Sequence, residues 1–132
     1  MADPKLSVRM MQTPLARARG AGAARSGVGH WRAQRFTAIA LVPLALWFVF
    51  SVLALEHGSR ADVAHWMSHP VNTVLLITLM VALFHHMQLG LQVVIEDYVH
   101  ADGARLIAML LMKGITILLA LAAVISILKL GF

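Results

Sequence analysis

Two adjacent histidines, His85 and His86, stand inside an apolar run that ends in the carboxylate and phenol of Asp97 and Tyr98. An ionisable side chain deep in a bilayer is expensive, so by default it marks a functional position. Imidazole is a good axial ligand for haem iron. A carboxylate beside a phenol can accept and donate protons near the membrane surface. Residues 86, 90, 93 and 97 follow the spacing i, i+4, i+7, i+11 and share one helix face. That face carries His86, Gly90, Val93 and Asp97: a ligand, a gap, a small apolar side chain and a carboxylate. At Gly90 a flat macrocycle or another helix can lie close to the backbone. Tyr98 lies about 18 Å beyond His86 along the axis, at the inner boundary. Together these residues point to electron and proton chemistry in a membrane.

Each of these residues also has a plainer reading. His86 can be a packed residue bonded to a polar group of a neighbouring helix. His85 points about 100° away from His86, so the pair cannot ligate one iron from the same helix. Asp97 and Tyr98 can be interfacial anchors, since tyrosine is enriched at headgroup depth. Met87, Met109 and Met112 read as packing residues. His100, near the inner surface, is a candidate proton relay.

The elements that position these groups are membrane spans. The chain has 132 residues, 60% of them hydrophobic and 13% charged, with a mean hydropathy of +0.79. Soluble domains are closer to half apolar and about a quarter charged. The length accommodates about three spans of about 20 residues and no separate soluble catalytic domain. Absence of cysteine excludes disulfides, thiolate-held iron–sulfur clusters and covalent c-type haem within the chain.

The expected architecture is an all-α membrane protein with spans at about 37–55, 71–95 and 106–130, preceded by a basic tail over 1–35. Pro43 predicts a gentle kink in the first span. Residues 61–67 predict a short interfacial turn with Trp66 at headgroup depth. Ser68-His69-Pro70 predicts a break, because proline disfavours helix at the preceding residue and suits a first helical turn. Lys113, about 12 Å from Arg105 along the third span, either snorkels or faces a partner.

Seven of the eleven basic residues precede residue 36: Lys5, Arg9, Arg17, Arg19, Arg25, Arg32 and Arg35. Such a tail predicts a cytoplasmic N-terminus, an outer loop at 56–70, an inner loop at 96–105 and a periplasmic C-terminus. The same charges suit lipid headgroups rather than nucleic acid. The first 30 residues show no apolar core of a cleavable signal peptide; an Arg-rich mitochondrial presequence is the alternative.

The segment His86 to Tyr98 resembles the second helix of the small hydrophobic anchor subunit of succinate dehydrogenase, respiratory complex II. In that family a haem-ligating histidine is followed by glycine four residues on and by Asp-Tyr at eleven and twelve; here these are His86, Gly90, Asp97 and Tyr98. Arg35-Phe36-Thr37-Ala38-Ile39 looks like the family's Arg-x-Thr-Ala-Ile. Thr13-Pro14-Leu15 through Gly29-His30-Trp31 is similar to the tail of alphaproteobacterial members.

The resemblance implies that His86 is one of two axial ligands of a b-type haem. Tyr98 would hydrogen-bond a carbonyl oxygen of ubiquinone, with Asp97 in support, and Arg35 would pair with a haem propionate. The second haem ligand would come from the cytochrome b anchor subunit. A flavoprotein and an iron–sulfur subunit would complete the assembly in a bacterial inner membrane, and the chain alone would be catalytically silent. Two other functions stay open: the anchor of a quinol:fumarate reductase, or a non-redox transport or assembly subunit. A neutral imidazole ligand also needs a partner for its second ring nitrogen, which the sequence does not identify.

Overall fold

The computed structural model describes residues 13–15 and 27–131. Lys5, Arg9, Arg17, Arg19 and Arg25 of the basic tail lie outside these residues. From residue 27 onward the chain forms α1 (Gly27–Ala54), α2 (Arg60–Ser68), α3 (Pro70–Tyr98) and α4 (Asp102–Gly131). The helices α1, α3 and α4 are long and apolar enough to cross a membrane. The central helix, α3, is flanked by α1 and α4, and α2 packs across the ends of α3 and α4.

The helix boundaries follow from local chemistry. Ser59 opens α2 by accepting a hydrogen bond from the Asp62 backbone, while Asp62 accepts one from the Ser59 backbone. This reciprocal capping box satisfies two donors that a helix start otherwise leaves unpaired. At the other end of α2 His69 is extended (φ −69°, ψ 124°), and Pro70 starts α3 where its missing N–H is of no consequence. The expected break at residues 68–70 is therefore observed.

The first helix differs from the sequence expectation by starting ten residues before residue 37. Hydropathy detects only the lipid-immersed part, whereas no proline or glycine interrupts residues 30–36. At 1.5 Å per residue the 28 residues of α1 extend about 42 Å, longer than the roughly 30 Å hydrocarbon core. Its polar first turns thus reach beyond the core while the helix remains continuous.

Side-chain burial is sparse. Leu76, Leu79, Leu89 and Ile127 form the buried apolar contacts, joined by Thr73 and Thr116. Thr73 donates to the carbonyl oxygens of Met67 and His69, and Thr116 to those of Met112 and Lys113. These bonds satisfy hydroxyls that lipid cannot solvate. Gly131 packs against Thr73, where an added Cβ would come within 3.2 Å of its hydroxyl oxygen. Trp47 and Trp66 stack with ring centroids 5.7 Å apart, joining α2 to α1.

Candidate functional site

The half-buried residues of α1 recur at helical spacing: Ala33, Gln34, Thr37, Ala38, Leu41 and Leu44. This stripe faces α3, the neighbour against which α1 packs. The contact sets one polar pair within the otherwise apolar interface. The Thr37 Oγ1 lies 2.9 Å from Nδ1 of His86. The same oxygen lies 2.9 Å from the Ala33 carbonyl oxygen and 3.1 Å from that of Gln34.

His86 is half-buried, and its ring makes no other hydrogen bond among the described residues. His85 is exposed, in keeping with the 100° that separates successive residues on a helix. One turn beyond His86, an added Cβ at Gly90 would meet nothing within 4 Å. The gap expected from sequence is open space beside the backbone. It is not a helix crossing within this chain.

Asp97 and Tyr98 end α3 on the same side of the bundle as the start of α4, both exposed; Tyr98 reaches 79% exposure. Beside them a groove of about 420 Å³ is lined by Glu96, Asp102, Arg105, Leu106 and Met109. Its charged wall is ordered by the Asp102–Arg105 ion pair and by the Gln92 amide donating to Glu96. An apolar cavity of similar volume lies under α2, among Phe48, Trp66, Met67, Leu76 and Ile127. It sits at the opposite end of the bundle from Tyr98 and offers no group for proton transfer except Glu56 at its edge.

Arg35 is exposed, with its guanidinium 5.6 Å from the ring centroid of Trp31, within cation–π range. Two residues correspond to about 200° of helix, so Arg35 and Thr37 lie on opposite sides of α1. The structure brings His86 to Thr37 and leaves Arg35, Asp97 and Tyr98 exposed at the periphery. Lys113 and His100 are also exposed. Near the N-terminal end of α1, Nε2 of His30 is enclosed without a hydrogen-bond partner among the described residues. Among these residues no group of three or more His, Cys, Asp or Glu side chains gathers to chelate an ion.

The sequence did not reveal the role of Thr37. It lies in the Arg35–Ile39 motif, but its pairing with His86 depends on the register of α1 against α3. That register is a tertiary property, and one sequence does not encode it visibly.

Three helices long and apolar enough to cross a membrane, with His85 and His86 on the central one, define a small polytopic membrane protein. The chain belongs to the succinate dehydrogenase/fumarate reductase transmembrane subunit family, which matches residues 9–124. It is 33% identical over 114 residues to the succinate dehydrogenase hydrophobic membrane anchor subunit of Rickettsia bellii, covering 86% of this chain and 90% of that protein. It is 35% identical over 99 residues to the succinate dehydrogenase membrane anchor subunit of Reclinomonas americana, covering 70% and 80%. A third relative, the hydrophobic anchor subunit of Rickettsia felis, is 38% identical over 84 residues, covering 63% and 69%. No solved structure matches the chain. The resemblance to the succinate dehydrogenase anchor family is borne out.

Proposed function

We propose that this chain is the small membrane anchor of a succinate:quinone oxidoreductase, holding one side of a b-type haem and forming part of a ubiquinone site. The relatives' names support succinate oxidation over the reverse direction. The observation that carries the site assignment is the disposition of His86. Its Nδ1 is engaged by Thr37, its Nε2 is uncommitted, and the next turn is open at Gly90. One imidazole beside a glycine gap fits axial ligation of a flat macrocycle, and it does not fit a chelated ion.

Haem b, when bound, supplies a one-electron centre between the spans. This chain's contribution is positional and electrostatic. His86 would hold the haem iron through Nε2, and a second ligand would come from the cytochrome b anchor subunit. Arg35, exposed on the side of α1 away from Thr37, would offer a propionate a planar fork of donors. The Tyr98 hydroxyl donates to a carbonyl oxygen of ubiquinone, and the Asp97 carboxylate beside it supports the pocket and the proton route.

The flavoprotein removes two electrons and two protons from succinate, and the iron–sulfur subunit passes the electrons to the quinone. Two protons taken up at the inner surface complete reduction to quinol. The basic residues ahead of the first span support a cytoplasmic N-terminus and a periplasmic C-terminus in a bacterial inner membrane.

Affinity purification of the tagged chain from native membranes tests the assignment. The expected preparation contains a flavoprotein, an iron–sulfur protein and a second anchor, and shows a b-type haem band on reduction. A colourless preparation without those partners contradicts it.

A further inference from the structure

We propose that Thr37 is a positioning residue that fixes the tautomer of His86 and raises the donor strength of its Nε2. The inference rests on the reading of His86 as a haem ligand and adds the group that prepares it. Three contacts converge on the Thr37 hydroxyl: the carbonyl oxygens of Ala33 and Gln34, and Nδ1 of His86. A hydroxyl has one hydrogen to donate, and carbonyl oxygens only accept. All three contacts are satisfied when that hydrogen is shared between the two carbonyls and the oxygen accepts Nδ1–H from His86.

The proton is then on Nδ1, and Nε2 is a bare lone pair. The opposite tautomer would place a hydrogen on Nε2 and abolish its capacity to bind a metal. A hydroxyl already donating to backbone is also polarised into a better acceptor. An outer hydrogen bond of this kind orients the ring and makes the ligand more basic. A more basic imidazole favours the ferric state over the ferrous, so Thr37 lowers the haem midpoint potential.

The test compares Thr37→Val, which keeps the branched shape and removes the hydroxyl, with Thr37→Ser, which keeps the hydroxyl. Both are made in the intact native complex beside His86→Ala. The readouts are haem affinity and haem midpoint potential by redox titration of the visible band. The expected result is a potential raised by Thr37→Val, haem affinity weakened about 10- to 100-fold, and both restored by Thr37→Ser. Wild-type values in Thr37→Val, with haem absent from His86→Ala, overturn the role of Thr37 and leave the ligand assignment standing. Equal changes in the Val and Ser variants also overturn it, because packing alone then accounts for the effect.

Haem retained in His86→Ala removes the ligand assignment itself. If the Val complex does not assemble, Thr37→Cys replaces it, since a thiol is a weak acceptor of similar size. The potential is then expected to be higher in Cys than in Ser, and equality of the two overturns the proposal.

Discussion

Tyr98 stands 79% exposed at the end of α3, with its hydroxyl free to meet a group from outside the chain. Removing that hydroxyl deletes one donor while leaving the ring, so the Thr37–His86 pair is undisturbed. Tyr98→Phe is therefore expected to lower kcat/KM for quinone by roughly two- to tenfold, the value of one hydrogen bond. Haem content should stay unchanged. Steady-state succinate:quinone reductase assays with a parallel reduced spectrum check both parts, and unchanged quinone turnover contradicts the pocket assignment. His86, Gly90 and Asp97 were legible in the sequence because their spacing fixes a common helix face, and Tyr98 because it adjoins Asp97 at the helix end. Thr37 was not, because a bond between residues 49 positions apart is set by how two helices pack.

Gly90 belongs to the geometry of α3 as a whole. An added Cβ meets nothing within 4 Å among the described residues, and replacing a helical glycine is intrinsically favourable by about 1 kcal/mol. Gly90→Leu should insert and accumulate normally yet lose haem, measured as haem per anchor chain. Normal haem content in that variant shows that no macrocycle or partner helix occupies the gap.

The capping box of α2 adds a pH dependence outside the spans. Hydrogen bonds from the Ser59 hydroxyl and backbone hold the Asp62 carboxyl below its ordinary value of 3.8. The carboxylate's half of the box therefore contributes fully above that ordinary value and is lost as pH falls through the lowered one, while the Ser59 hydroxyl still accepts from the Asp62 backbone. Ser59→Ala should reduce amide-exchange protection of α2 at neutral pH, and the difference from wild type should shrink on acidification below the ordinary value. A difference of undiminished size in strong acid contradicts the carboxylate's part in the cap. The helix break at Pro70 was readable from the sequence, whereas the early start of α1 was not, since a polar helix extension lacks a hydropathy signal.

The chain buries few side chains within itself; none of the most apolar window of α1 is buried. Phe36, Ile39, Val42, Leu46 and Phe50 instead line an outward face of α1. Lipid accommodates such a surface without penalty, because it is as apolar as the side chains. Orientation in the membrane is testable because the chain has no cysteine. His57→Cys should react with an impermeant maleimide in intact cells, and Ala101→Cys only after permeabilisation. The reverse pattern would place Tyr98 on the outer surface, away from the iron–sulfur subunit.

The most direct test of the central claim is a dithionite-reduced minus oxidised spectrum of the purified native complex with and without His86→Ala. The account predicts a b-type band in wild type and its loss in the variant, with the flavoprotein and iron–sulfur subunit still present. An undiminished band in the variant would show that His86 is a packed polar residue bonded to Thr37 and nothing more.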